Sequence, residues 1–324
     1  MYYIVTGGAG FIGSALVWGL NKSGLDNILI VDHLDTDDKW KNLRALKFSD
    51  YMEKDDFLRR ITDGRLAMEI EAIIHMGACS DTTEHDATYL INNNFHYSKE
   101  LAKFAVAHEL RFIYASSAAT YGDGALGYVD DERALQNLRP LNMYGYSKQL
   151  FDLWARGNGL LHLILGLKFT NVFGPNEYHK GEMRSVANKA YHQIKADGQI
   201  KLFKSYKPEY AHGEQKRDFI YIKDVVEMVL FFLERFDGGL FNIGSGRAES
   251  WNRLAGALFK ALGREPRIEY IDMPESLRNQ YQYFTEADMT KLRNFGYDKE
   301  LTPLDGAMTD YVNNYLDRGK YLGD

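Results

Sequence analysis

The sequence predicts an α/β fold: a doubly wound parallel sheet with a smaller mixed α/β lobe beside it. Two observations carry this. Short apolar runs of strand length alternate with stretches of helical length and period through the first half of the chain. The first of those runs ends in a glycine-rich turn that opens directly into a helical pattern. At 324 residues the chain exceeds what one core usually organises, so a second lobe is expected.

Taken in order, Tyr2 to Thr6 reads as a strand and Phe11 to about Ser23 as a helix. Asn27 to Val31 is a second strand, closing at Asp32. Glu71 to His75 and Arg111 to Ala115 are further strands, with helical length and period between them from Ile91 to His108. A helix starts near Tyr144 and runs to about Arg156, and His162 to Thr170 reads as another strand. Such alternation implies parallel strands, right-handed crossovers and helices on both faces. After Gly174-Pro175 the pattern turns irregular, polar and aromatic. Arg217 to Ile222 reads as a strand leading into a helix at Asp224, and Leu240 to Ile243 as a strand followed by Gly244-Ser245-Gly246.

Composition narrows the function classes. A net charge of −6 gives no basic footprint for nucleic acid. The single cysteine, Cys79, rules out an intramolecular disulfide and fits a reducing compartment. The start Met1-Tyr2-Tyr3-Ile4-Val5-Thr6 has no basic stretch of signal-peptide type, and no run nears the roughly 18 apolar residues of a membrane span. The expectation is a cytoplasmic enzyme with no membrane or nucleic-acid partner. No spacing marks a metal site, and His179 beside Lys180 reads as loop polarity.

The turn Thr6-Gly7-Gly8-Ala9-Gly10-Phe11-Ile12-Gly13 has the context of a Rossmann-type dinucleotide loop. Gly7, Gly10 and Gly13 let backbone approach a pyrophosphate, and the helix N-terminus offers free N–H groups and a positive dipole end. Asp32 ends the second strand, where a carboxylate usually accepts from the adenosine ribose and favours NAD. His33, Lys39 and Lys54 follow, cations that would neutralise a 2′-phosphate, so the residues alone leave NAD and NADP even. This organisation assigns residues 1–170 plus about 218–246 to a dinucleotide-binding domain. It assigns about 171–217 and 247–300 to a substrate lobe, and 301–324 to a C-terminal helix.

Tyr144 and Lys148, four apart at a helix start, face one side of it. A tyrosine titrates near 10, so a base at neutral pH needs a nearby ammonium and a positive nicotinamide ring. Ser117, at the end of the Arg111 strand, is placed to bond the substrate oxygen that Tyr144 deprotonates. His75 reads as a packed strand-end histidine, and Cys79 as a small packing residue. Arg217 suits a diphosphate, against the alternative of a surface ion pair with Asp218.

Gly7/Gly10/Gly13, Ser117, Tyr144 with Lys148, Asn171-Val172-Phe173-Gly174-Pro175 and Arg217-Asp218-Phe219-Ile220-Tyr221 together resemble the extended short-chain dehydrogenase/reductase family, its nucleotide-sugar epimerases and dehydratases. More specific words narrow this: His75-x-Gly77-Ala78-Cys79-Ser80-x-Thr82-Thr83-Glu84, Tyr97-Ser98-Lys99-Glu100-Leu101, His179-Lys180-Gly181, Asn242 to Ser250, and Phe284-Thr285-x-Ala287-Asp288. They are similar to the ADP-heptose 6-epimerase family, over nearly the whole chain. The resemblance implies an isomerase that inverts C6 of the heptose of ADP-D-glycero-D-manno-heptose for lipopolysaccharide. It implies tightly held NADP and a homopentamer. It implies Tyr144 and Lys180 as acid/base groups on two sides, assisted by Ser117 and Lys148. Implied cofactor contacts are Phe11, Ile12, Asp32, His33, Lys39, Lys54, Met76, Gly77, Ala78, Cys79, Ser80, Asn93, Lys148, Val172 and Lys180. Implied substrate contacts are Asn171, Glu182, Lys189, Phe203, Arg217 and Tyr281.

The chain departs from that family at several points. Glu182 stands where serine is usual, Lys189 where histidine is, and His33 where asparagine is. Lys204-Ser205-Tyr206 replaces Glu-Gly-Ser and opens a longer segment to Arg217. Two rivals remain on the same scaffold. A 4,6-dehydratase would need an acid/base pair where Ala118 and Ala119 stand. A UDP-hexose 4-epimerase needs only the Ser/Tyr/Lys core. A non-catalytic dinucleotide sensor would have no use for Tyr144 and Lys148.

Overall fold

The apolar run Tyr2–Thr6 is β1, and its last three residues are buried. The computed structural model describes residues 1–278 and 281–324. The chain continues through α1 (Phe11–Lys22), β2 (Ile28–Asp32), β3 (Asp50–Glu53), α2 (Lys54–Thr62), β4 (Ile70–His75), α3 (Ala87–Leu90), α4 (Tyr97–Ala107) and β5 (Arg111–Ser117). Next come α5 (Met143–Gly157), β6 (Leu165–Phe169), β7 (Asn171–Phe173), α6 (Val186–Asp197), β8 (Ile200–Phe203), β9 (Lys216–Tyr221) and α7 (Ile222–Glu234). β10 (Gly239–Ile243), β11 (Ala248–Ser250), α8 (Trp251–Ala261) and β12 (Ile268–Ile271) follow.

Seven parallel strands form the main sheet in the order β10-β6-β5-β4-β1-β2-β3. Its strands are apolar on both faces because helices cover both. Along β2, Ile28 and Ile30 enter one core while Leu29 and Val31 enter the other. The first core takes α1 and α7, packed so closely that a Cβ on Gly19 would lie 2.3 Å from Val226 Cγ1. The second core takes Phe57 and Ile61 of α2, Leu101 of α4 and Phe151 of α5. The architecture is thus Rossmann-like α/β. Among the described residues no helix is long and apolar enough to cross a membrane.

Two smaller sheets lie beyond the carboxyl edge. One is β11-β9-β7, the other β12-β8. The strand that the sequence reading finds at 217–222 is β9, and it lies outside the main sheet. β9 instead pairs with β7 and β11, because β10 already occupies the flank of β6. β3, a short edge strand with mixed polarity, carries no clear sequence signal. The helix expected over 301–324 is shorter. It runs Leu304–Asp310 behind Pro303, widens into a π-helical turn over Tyr311–Leu316, and stops before Gly319 at φ +60°.

Candidate active site

In the main sheet the strand order reverses between β1 and β4, and a crevice opens at their carboxyl ends. A cavity of about 480 Å³ fills it. The glycine turn forms its floor. Gly7 sits at φ +66°, and a Cβ there would lie 2.6 Å from the Gly77 backbone nitrogen. A Cβ on Gly13 would lie 2.0 Å from the Gly7 carbonyl oxygen. α1 begins at Gly10 with no side-chain cap and no acidic residue in its first turn. Its amide end is therefore free for an anion, and the cradle fits a dinucleotide pyrophosphate.

Asp32, nearly buried, is fully engaged. Oδ2 accepts from Ala9 N–H at 2.8 Å, and Oδ1 accepts from His33 N–H at 2.7 Å. The Lys39 ammonium stands 3.1 Å from Oδ1. Asn42, unnoticed in the sequence, donates to the Ala9 carbonyl at 2.8 Å and to the Asn176 carbonyl at 3.1 Å. It thereby ties the glycine turn to the segment that carries Lys180.

On the far wall, α5 is started by Asn142, whose side chain accepts from Gly145 N–H at 2.8 Å. That start presents Tyr144 and Lys148 to the cavity, beside Ser117 at the end of β5. The Lys148 ammonium donates to the Ala115 carbonyl at 2.8 Å. Burial draws its pKa down to about 8, and Asp152 opposes the fall. Burial pushes the Tyr144 phenol above its ordinary value, and its hydrogen bond with Ser117 pulls it back. Below them a buried network holds the helix to the sheet. Asp152 accepts from Lys168 at 2.7 Å, from Ser116 at 2.7 Å and from Tyr114 at 2.9 Å. Lys168 also donates to Thr120, whose hydroxyl donates to the Ser117 carbonyl.

A second cavity, of about 320 Å³, adjoins the first. Ser117, Tyr144, Phe169, Thr170 and Asn171 line both, so the tyrosine stands at their shared wall. Arg217 and Tyr281 line the second one. The Arg217 guanidinium lies 5.0 Å from the Tyr281 ring and 5.6 Å from Trp251, a cation–π sandwich. It makes no ion pair with Asp218. That carboxylate instead accepts from the backbone N–H groups of Ser245, Gly246 and Ala287.

Lys180 lines the first cavity from a 3₁₀ turn over Tyr178–Met183, its ammonium 5.8 Å from the Phe11 ring. Burial lowers its pKa, and the Glu177 carboxylate opposes this. His179, read from sequence as loop polarity, also lines that cavity, and burial holds its pKa at about 4. The structure therefore gathers Gly7, Gly10, Phe11, Ile12, Gly13, Asp32, Lys39, Met76, Gly77, Ala78, Ser80, Ser117, Tyr144, Lys148, Asn171, Val172 and Lys180 around one space.

Other expected residues stand outside both walls. His33 faces solvent against Glu53 at 2.7 Å, because its strand partner offers a carboxylate there. Lys54 donates to Asn93 at 2.7 Å. Cys79 is pinned by its backbone to Asn94. Lys189 donates to the Glu182 carbonyl at 3.0 Å, on the rim. Phe203 ends β8 with its ring 6.3 Å from that of Tyr281. Asn94 was missed. It sits in the π-helical turn Ile91–His96, bonds both backbone groups of Cys79 and donates to Ser147 on α5. The run Asn92-Asn93-Asn94 within a helical pattern is the signal that would have found it.

Comparison with known proteins accords with this geometry. The model of the NAD dependent epimerase/dehydratase family matches residues 3–244. An ADP-L-glycero-D-manno-heptose-6-epimerase of Nitratidesulfovibrio vulgaris (strain DP4) is 55% identical over 315 residues, covering 97% of this chain and 98% of the relative. One from Fusobacterium nucleatum is 50% identical over 323 residues, covering 97% of each. The crystal structure of the Helicobacter pylori enzyme of that name superposes with a TM-score of 0.81 at 26% identity, covering 97% of this chain and 95% of that one. The chain belongs to the NAD dependent epimerase/dehydratase family and is an enzyme of the epimerase class, an isomerase.

Proposed function

We propose that this enzyme inverts C6 of the heptose in ADP-D-glycero-D-manno-heptose to give ADP-L-glycero-D-manno-heptose. The observation that carries the reading is the 55% identity, across 97% of the chain, with an epimerase of that name. The geometry supports a mechanism by transient oxidation. When bound, NADP supplies the hydride acceptor and donor that make and remove a 6-keto group. Tyr144, as phenolate, takes the proton of the C6 hydroxyl, with Ser117 bonded to the same oxygen. Lys148, fixed on the Ala115 carbonyl, supplies a cation beside the tyrosine and would help hold the cofactor. After the ketone turns its other face, Lys180 delivers a proton to the oxygen from the opposite side. Solvent then resets both groups.

Arg217, stacked and with Nη1 donating to the Lys216 carbonyl, is the diphosphate contact, with Asn171 and Tyr281 beside it in the second cavity. Phe203, Glu182 and Lys189 are assigned to the outer substrate contacts. NADP rather than NAD is favoured by Lys39, whose ammonium stands 3.1 Å from Asp32 and offsets the carboxylate charge that would repel a 2′-phosphate. The same reading places the enzyme in the cytoplasm, as a homopentamer, in lipopolysaccharide biosynthesis. It divides the chain into a dinucleotide-binding domain and a substrate lobe at the cleft.

The test is incubation of the purified enzyme with ADP-D-glycero-D-manno-heptose, followed by chromatographic separation of the epimers. Conversion to the L-glycero epimer is expected. No conversion, together with turnover of a UDP-hexose, overturns the reading in favour of a 4-epimerase.

A further inference from the structure

Glu177 lies three residues before Lys180 and is 1% exposed. Its carboxylate gathers four donors. Oε1 accepts from Gly174 N–H at 3.2 Å, from the Ser185 hydroxyl at 2.8 Å and from the Tyr311 phenol at 2.8 Å. Oε2 accepts from Ser185 N–H. Gly174 and Ser185 flank the irregular segment that carries Lys180, so one side chain ties both ends of that segment together. The Glu177 backbone carbonyl also accepts from Lys180 N–H at 3.1 Å, closing the turn itself.

The location suits a carboxylate. Ser185 is the N-cap of α6, so the negative charge sits at the positive end of that helix. Tyr311 is held from its other side by Asn188 of α6, which donates to its hydroxyl at 2.8 Å. The neighbouring Asn176 stands at φ +77°, a backbone conformation that favours glycine. It persists there because its side chain donates to Ser14 of α1 and accepts from Leu322 N–H. A glutamine at 177 could not reproduce the clamp. It offers one acceptor oxygen and turns an NH₂ toward N–H or O–H groups that need an acceptor.

We propose that Glu177 is the positioning residue for Lys180: its carboxylate gathers both ends of the Lys180 segment and sets the ammonium across the cavity from Tyr144. This rests on the reading of Lys180 as the second acid/base group. It predicts a defect expressed mainly in the chemical step, because the Glu177 carboxylate is hydrogen-bonded to Gly174, Ser185 and Tyr311 and to neither the glycine turn nor Arg217.

The experiment is a double-mutant cycle on the cofactor-loaded enzyme with ADP-D-glycero-D-manno-heptose. Glu177→Gln should lower kcat about tenfold or more, with KM changed less than about twofold and bound nicotinamide content unchanged. In a Lys180→Met background the same substitution should change the residual kcat by less than about twofold. Equal losses in both backgrounds, or a kcat equal to the parent's, overturn the proposal. If Lys180→Met itself turns over normally, the reading of Lys180 fails and the proposal falls with it. If Lys180→Met is inactive while Glu177→Gln matches the parent, only the role of Glu177 fails. Should Glu177→Gln not fold, Tyr311→Phe decides, since it removes one of the four donors. A kcat loss of about threefold that disappears in the Lys180→Met background supports the proposal, and any other outcome overturns it.

Discussion

Tyr144 is poised but not yet a base. Burial keeps its phenol protonated at neutral pH, and Ser117 only partly offsets this. In the proposed mechanism, a positive nicotinamide ring held in this cavity would add to the Lys148 ammonium and lower the phenol further. Tyr144→Phe should therefore lower kcat by about 10²–10⁴ while the purified protein keeps its bound nicotinamide content. Undiminished turnover would remove tyrosine from the mechanism. Tyr144, Lys148 and Ser117 were legible in the sequence because their relation is local: a four-residue helical spacing and a strand end. Asn42, Asn176 and Glu177 were not, because their partners lie far along the chain. Asn42 reaches Asn176 across 134 residues, and Tyr311 reaches Glu177 across another 134. No short word of sequence encodes such a bond.

At the scale of elements, the glycine turn between β1 and α1 was legible because it needs small residues in fixed order. Its packing sets a sharp test. An added methyl on Gly13 meets the Gly7 carbonyl oxygen at 2.0 Å, so the turn must open and lose its approach to a pyrophosphate. Gly13→Ala should yield folded protein, by circular dichroism, whose bound nicotinamide content falls at least about tenfold. Full cofactor content would show that the turn does not hold the dinucleotide. β9 was found as a strand but its partners β7 and β11 were not, since periodicity identifies a strand and not its neighbour. The π-helical turn before α4 was hidden because one extra residue hardly alters the apolar pattern. It is nevertheless what turns Asn94 inward to clamp Cys79 against α5.

Over the whole molecule, the sheet divides two cores, and polar groups buried beside it couple stability to pH. His75 lies at the end of β4, 1% exposed, between the Thr6 hydroxyl at 2.6 Å and the Ser98 hydroxyl at 2.8 Å. Burial drops its pKa to about 3. The folded value lies below the unfolded one, so the unfolded chain binds more protons between about pH 6.5 and pH 3. The stabilisation is complete above pH 6.5 and is lost as pH falls toward 3, at up to about 1.4 kcal/mol per pH unit. His179 acts in the same direction. Urea midpoints should therefore decline from pH 6.5 to pH 4.5, and His75→Asn should flatten that decline. An identical slope in the variant would place the acid sensitivity elsewhere. The two-cored parallel sheet itself was readable from strand–helix alternation. The small sheets β11-β9-β7 and β12-β8 were not, because their strands are short and lie within the irregular, aromatic part of the chain.

Asp32 bears on any attempt to re-engineer cofactor preference. One of its oxygens fastens Ala9 of the glycine turn, and the other meets Lys39 and the His33 amide. A substitution meant to retune the ribose end would also release the turn beneath the pyrophosphate. In the proposed site one carboxylate would thus bear on both ends of a dinucleotide. A successful switch of coenzyme must begin at Lys39 and leave Asp32 in place.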